Sequence, residues 1–333
     1  MSSPKLITIF GGTGNQGRSV ALSLLGNKAG TFKVRIITRN PESDAAKALV
    51  EAGATVVKAD GTDREQMLAA FKESWGAFIN TNGDDPALDQ PGSLSEVEVG
   101  KIVLDAAADA GVKHVVYSGM VSTTEATKGK YTAVAFEDKN IIGRYAASKT
   151  AFESTTIVSP GNYMENFLMQ ELAGVFGGFP YVPDEEGFLT YSTPHWGGDD
   201  DVPYIAIRAD YGDLVHGVLL DPAKYNGQFI QGFSQSIKSD AAVKAFEEVS
   251  GKKARYIPMK SLNDLQTYGM RALETVKSVF GFSQASGGFY YGTPNDVGPA
   301  TELKRAAAEA RGKEGDEAKL LTIKQFWKQH FTA

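Results

Sequence analysis

Leu6-Ile-Thr-Ile-Phe10-Gly11-Gly12-Thr13-Gly14-Asn15-Gln16-Gly17-Arg18 decides the fold of this chain. An apolar, strand-forming run enters glycines spaced three apart, and Val20-Ala-Leu-Ser-Leu-Leu25 then begins a helix. Gly11 permits the tight turn. Gly14 removes a side chain where a pyrophosphate must approach the backbone, and Gly17 lets helix and strand pack closely. The helix amino end behind them presents N–H groups and a partial positive charge to an anion. A glycine turn in this strand-to-helix context predicts a dinucleotide-binding fold.

Outward from that turn, the N-terminal half alternates apolar runs with amphipathic stretches. Strands are predicted at Leu6–Phe10, Val34–Thr38, Thr55–Lys58, Ala77–Asn80, His114–Ser118 and Thr155–Val158, with helices near 15–27, 42–52, 63–73, 94–110 and 137–152. Strands apolar on both faces, alternating with helices, predict an α/β architecture: a Rossmann-type, doubly wound parallel sheet. Beyond Pro160-Gly161 the regularity is lost. Asp210 is expected to cap a helix to Leu220, followed by a helix at 240–250, a strand at 254–258 and a helix at 262–279. Glycines and aromatics over 281–299 predict a long loop able to act as a lid. The expected organisation is a dinucleotide-binding domain over 1–160 and a smaller α/β substrate- or partner-binding region over 161–333, partly interleaved with it.

Composition narrows the function. The 333 residues carry 34 Lys and Arg against 40 Asp and Glu, net −6, with the basic residues scattered. Neither nucleic acid nor a membrane surface is therefore an expected partner. The absence of cysteine excludes disulfides, thiol nucleophiles and thiolate-bound metals. The four histidines form no i, i+4 pair, and the adjacent acids of Gly198-Asp-Asp-Asp201 do not converge as a calcium loop does, so no metal is expected. No secretory signal or membrane-length apolar run is visible, which makes a cytoplasmic location the expectation and leaves a nuclear one open. The oligomeric state is not legible.

The second strand ends in Ile36-Ile-Thr-Arg39-Asn-Pro41. An acidic residue there would hold the ribose 2′-hydroxyl of NAD, whereas Arg39 suits the 2′-phosphate of NADP in charge and fork geometry. NADP(H) is the expected cofactor. Asp60 and Asn80-Thr81-Asn82-Gly83 stand at carboxyl ends of the next strands, where this fold meets its ligand, although Asp and Asn also simply form turns there.

These segments, together with His114-Val-Val-Tyr-Ser-Gly-Met120, Phe136-Glu-Asp-Lys139, Gly161-Asn-Tyr-Met-Glu-Asn-Phe167 and Pro222-Ala-Lys-Tyr-Asn-Gly227, resemble the NmrA-like family of atypical short-chain dehydrogenase/reductases. The likeness runs from residue 6 to about 260, and the G-x-x-G-x-x-G spacing belongs to it. It implies cofactor contacts from Gly11, Gly12, Thr13, Gly14, Asn15 and Gln16, then from Arg39, Asp60 with Gly61, Thr81 with Asn82, Lys139, and Tyr163, Met164 and Asn166. It implies that Lys139 bonds the nicotinamide ribose and polarises a substrate carbonyl, and that Ser118 holds the substrate oxygen. Tyr163 is either a proton donor or a cover for the cofactor. The family includes quinone reductases, relatives that reduce plant phenylpropanoids, and NADP-sensing regulators without catalysis.

Tyr145-Ala-Ala-Ser-Lys149 also reads as a tyrosine–lysine proton-donor pair, but Lys139 lies 21 residues before Pro160 and suits the active-site lysine better. The tyrosine expected four residues before Lys139 is then replaced by Ala135. Two functions stay open. One is an NADPH-dependent reductase of a small conjugated carbonyl, quinone or imine, with Met120, Phe136, Tyr163, Phe167 and Trp196 lining its pocket. The other is a redox-sensing regulator whose loops 122–135 and 281–299 meet a protein partner. A nucleotide-sugar epimerase is disfavoured by Arg39 and Ala135.

Overall fold

The structure, a computed structural model, describes residues 3–332. Strand β1 (Lys5–Phe10) leads into α1 (Asn15–Leu25), and the alternation continues through β2 (Phe32–Thr38), α2 (Asp44–Glu51), β3 (Thr55–Lys58), α3 (Arg64–Phe71), β4 (Gly76–Ile79), α4 (Glu96–Asp109) and β5 (His114–Tyr117). A short α5 (Thr123–Ala126), α6 (Val134–Ala147) and β6 (Ser154–Pro160) follow. Then come β7 (Asn162–Tyr163), α7 (Gln170–Ala173), β8 (Leu189–Tyr191), β9 (Asp201–Ile205), α8 (Gly212–Leu220), β10 (Phe229–Gly232), β11 (Gln235–Lys238), α9 (Ser239–Ser250) and β12 (Ala254–Tyr256). Helices α10 (Arg271–Ala285), α11 (Gly298–Arg311) and α12 (Ile323–Phe331) end the chain.

Seven parallel strands form the main sheet in the order β10-β6-β5-β4-β1-β2-β3, the doubly wound arrangement expected. Strand order reverses at β1, whose neighbours are β2 and β4, and the crevice opens there at the carboxyl ends. Both faces are covered. Ile7, Ile9 and Phe78 pack with Val20 and Leu24 of α1 and with Leu214 and Val218 of α8. Ala77 and Ile79, pointing oppositely along β4, pack with Val103 and Leu104 of α4 and Ile142 of α6. The seventh strand and helices α8 and α11 come from the C-terminal part, so that part also builds the first layer. A separate aromatic core joins Phe167, Phe179, Phe246 and Trp327, with ring centroids of Phe167 and Trp327 4.8 Å apart.

Several local expectations are corrected. Asp210 does not cap a helix. It lies inside a π-turn at Ile207–Tyr211, buried, accepting from Ser234 Oγ and Leu321 N and paired with Lys304 at 2.9 Å. The helix expected over 262–279 starts at Arg271, because Tyr268 and Gly269 both adopt positive φ and break it. It runs on to Ala285, so 281–299 is not one loop. Tyr290 and Tyr291 are buried in the aromatic core, which anchors the remaining turn rather than freeing it as a lid. The segment 122–135 is likewise tied down: Ser122, Thr123 and the Thr124 N–H all donate to Glu137. The helix expected near 137–152 begins earlier, at Val134. Among the described residues no helix is long and apolar enough to cross a membrane.

A buried polar cluster binds α1 to α8 and α11. Asp213 of α8 accepts from Ser23 of α1 (2.5 Å) and pairs with Lys304 (2.7 Å) and Arg311 (2.5 Å) of α11. The Ser23 proton is committed to Asp213, so Nδ1–H of His216 must donate to Ser23 Oγ (3.0 Å) while Nε2 accepts from Asn27 (3.1 Å). This serine, histidine and aspartate resemble a nucleophilic triad only in composition; all are buried and the serine faces both partners at once. Burial, opposed by Asp213 and reinforced by Arg311, lowers the imidazole to about 4. The unfolded chain takes up this proton near its ordinary 6.5 and the folded one only near 4. Stability is therefore fully present above pH 6.5 and falls by about 3 kcal/mol as pH drops to 4. Urea titrations across this window are expected to show that decline, and His216→Gln is expected to flatten it.

Candidate functional site

A cleft of about 1100 Å³ opens over the carboxyl ends of β1, β2 and β4. Its floor is the amino end of α1. Helices α2, α3 and α4 are capped by their own Ser43, Asp63 and Ser95 side chains. Helix α1 has Gly14 at its cap position, no side-chain cap and no acidic residue in its first turn. Its N–H groups are thus left for an outside acceptor. Gly11 has φ +78°, and a Cβ on Gly17 would lie 2.3 Å from the Gly11 carbonyl oxygen, so α1 sits against the turn only because that position is bare. At Gly14 a Cβ would find only the Gly11 oxygen, at 3.4 Å, which leaves the cleft side open. Cradle and chemistry fit a pyrophosphate.

Gly11, Thr13, Gly14, Asn15 and Gln16 line the cleft, while Gly12 and Gly17 pack behind them, Gly12 against Ile36. Arg39, Asn40 and Ser43 line its far end, where the Arg39 guanidinium meets Asp85 Oδ2 at 2.7 Å. Asp60 and Gly61 are also on the wall. Asp60 Oδ1 accepts from the N–H and hydroxyl of Thr62, so the carboxylate closes a turn as well as facing the cleft. Thr81 and Asn82 follow β4 into the same wall, and Asn82 Oδ1 accepts from Asp84 N.

Lys139, on α6, reaches the cleft with Ala135 one turn before it. Its ammonium donates to the Thr81 carbonyl (2.7 Å) and to Glu96 Oε1 (2.9 Å). Glu96 is only 2% exposed at its side chain, and it also accepts from the Thr81 hydroxyl at 2.5 Å. Tyr117, whose phenol burial keeps protonated, donates to Thr81 Oγ1 at 3.1 Å. Glu96 escaped the sequence reading because an acid in a helix's first turn is ordinarily a solvated, dipole-favoured residue. Its burial comes from the fold, beneath Gly83, where even a Cβ would strike its Oε2.

Tyr163 stands where two cavities meet. It lines the cleft, and it lines a second, smaller cavity of about 110 Å³ walled by Phe167, Phe176, Phe179, Tyr191, Trp196 and Tyr204 and closed by Val276, Val279 and Phe280 of α10. The Tyr163 oxygen accepts from Gln16 Nε2 at 2.6 Å, and burial pushes its phenol up to about 12 despite that bond. The other amide atom of Gln16, Oε1, is buried without a partner among the described residues, an acceptor left over beside the pyrophosphate cradle.

Other predicted residues lie elsewhere. Ser118 is 1% exposed, packed by the Tyr211 hydroxyl, and lines neither cavity. Met164 is fully buried in the aromatic core; Asn166 lines the smaller cavity rather than the cleft. Met120 and Phe136 belong to that core and not to the pocket wall. Tyr145 and Lys149 are both bonded to Asp105 of α4 and do not line the cleft.

A family model described as the NmrA-like family matches residues 3–311. An NmrA-like family domain-containing oxidoreductase, FrzB of Cladobotryum sp, is 49% identical over 331 residues, 98% of each chain. The crystal structure of NmrA, a negative transcriptional regulator, in complex with NADP has the same fold at TM-score 0.74 and 20% identity, covering 99% of this chain and 96% of that one. The NADPH-dependent quinone oxidoreductase QOR2 from Escherichia coli, complexed with NADPH, matches at TM-score 0.68 and 19% identity, over 98% and 100%.

The Glu96–Lys139 pair has an energetic consequence. Lys139→Met strands a buried carboxylate and is expected to destabilise the fold by about 3 kcal/mol in urea denaturation, whereas Lys139→Met with Glu96→Gln recovers most of the loss. A single Lys139 variant as stable as the parent would show that the pair is not coupled.

Proposed function

The chain belongs to the NmrA-like family, and from that premise we propose that it is an NADP(H)-dependent oxidoreductase reducing a small conjugated carbonyl, quinone or imine. The observation that carries this reading is that Tyr163 walls both the cofactor cleft and an aromatic pocket. A cofactor in the one and an acceptor in the other would meet at a single side chain. FrzB is named an oxidoreductase and QOR2 an NADPH-dependent quinone oxidoreductase, which supports the reaction class.

The bare end of α1 would hold the pyrophosphate, Arg39 the 2′-phosphate, and Lys139 with Thr81 and Asn82 the nicotinamide-side ribose. NADPH, when bound, supplies a hydride equivalent. The chain supplies position, dryness and a proton. The rings of the smaller cavity exclude water from the acceptor. The acceptor's π electrons move onto its oxygen or nitrogen as the carbon is reduced, and the negative charge developing there needs a donor. The Tyr163 oxygen accepts from Gln16, so its own O–H is free to give that atom its proton. Lys139, fixed by Glu96, keeps a positive charge beside the site.

A second reading, an NADP(H)-sensing regulator acting through a protein contact, is favoured by Ala135, which leaves no hydroxyl one turn before Lys139. The two part in one experiment. Deuterium from labelled NADPH is expected on carbon in a reduced enone or imine, and NADPH oxidation is the readout for a quinone, whose hydroquinone O–D exchanges with water. Tyr163→Phe is expected to lower turnover about 100-fold without weakening NADPH binding. Intact binding with no NADPH consumption across that acceptor panel would favour the regulator.

A further inference from the structure

Arg39, the proposed 2′-phosphate ligand, is already engaged. Its Nη2 lies 2.7 Å from Asp85 Oδ2. The arginine side chain is 56% exposed but the aspartate only 19%. Asp85 is placed by its own loop: its Oδ1 accepts from Ala87 N at 3.0 Å, capping the 3-10 turn Pro86–Asp89. The carboxylate is therefore held at the cleft wall whether or not Arg39 meets it. The loop that carries it leaves β4 through Asn82 and returns along the cleft, and it places Asp84 there as well.

We propose that Asp85 is a coenzyme-discriminating residue, competing with the 2′-phosphate for Arg39 and offering an acceptor to the 2′-hydroxyl of NAD(H). The inference rests on the reading of the cleft as a nicotinamide-dinucleotide site. A 2′-phosphate must displace the carboxylate from the guanidinium and then tolerate a neighbouring negative charge. A 2′-hydroxyl has nothing to displace, and a carboxylate is the group that ordinarily receives it in this fold. One end of the cleft thus holds the arginine that suits NADP(H) and the acid that suits NAD(H), contributed by different strands' loops. Arg39 alone does not set the preference. The pair does, and it moderates it.

The test measures dissociation constants of NADPH and NADH by fluorescence titration of the full chain at low salt. Asp85→Asn removes the charge but keeps a competent cap for the turn, and Asp85→Ser, also a capping residue, is a second variant should the first fold poorly. Both are expected to tighten NADPH about tenfold and to leave NADH unchanged or weaker. In an Arg39→Met background most of the NADPH gain is expected to vanish. An equal change in both nucleotides, or no change in either, would overturn the proposal, since a merely structural role cannot tell apart ligands that differ by one phosphate. Failure of the parent chain to bind either nucleotide is a separate result: it removes the cofactor assignment and this inference with it.

Discussion

The amino end of α1 must lie against the turn it follows and yet stay bare. Two glycines far apart in sequence meet that demand. Gly17 brings the helix onto the Gly11 carbonyl, and on its other flank Gly212 lets α8 approach so closely that a Cβ there would be 2.1 Å from the Ser19 oxygen. The Gly212 N–H donates to Ser19 Oγ, and Ser23 one turn on is bonded to Asp213. The phosphate cradle is therefore held from behind by a helix of the C-terminal part, and that helix is held by Lys304 and Arg311 of α11. Such rigidity is what lets N–H dipoles act on a ligand without reorganising first.

Charge in the cleft is organised with similar restraint. Lys139 faces Glu96 and Arg39 faces Asp85, so both of these cations have a carboxylate beside them. Pairing fixes their long side chains in place, at the expense of attraction for an anion. A dinucleotide entering a chain of net charge −6 must then draw much of its binding from the helix end and the backbone. Affinity and the coenzyme selectivity proposed above become separable: one belongs to α1, the other to the Arg39–Asp85 pair.

The sheet was legible because strands buried on two faces are apolar throughout, and the amphipathic stretches between them form helices, whose ends the Ser43, Asp63 and Ser95 caps fix in the structure. Cleft residues at strand ends were legible for the same reason, since topology alone brings Arg39, Asp60 and Thr81 to one edge. Helix α11 was not. Its buried face is Ala300, Leu303, Lys304, Ala307 and Ala308, a single leucine set against Gly217 among alanines and a lysine, which carries little hydrophobic signal. Glu96 and Asp85 were missed because an acid's partner lies across the fold and not along the chain. The facing of Ser118 and Met164 was not legible: a motif fixes position along the chain, while packing buries both side chains away from the two cavities.

On the proposed function, the residues around the smaller cavity limit what could react there. Its wall holds seven aromatic side chains besides Tyr163, its polar groups are neutral amides and hydroxyls, and among the described residues no charged side chain lines it. An ionised acceptor would lose its hydration there without gaining a partner, which under the proposed function favours an uncharged reacting end. Under the proposed function the proton source would be weak as well, since a Tyr163 phenol pushed up to about 12 gives up its proton only to a strongly basic centre or in concert with hydride arrival. Acceptors that spread the incoming electron pair over a conjugated system ask least of such a donor. Under the proposed function, apolar walls and a reluctant acid therefore favour the same chemistry: a neutral, conjugated, electron-poor group beside Tyr163.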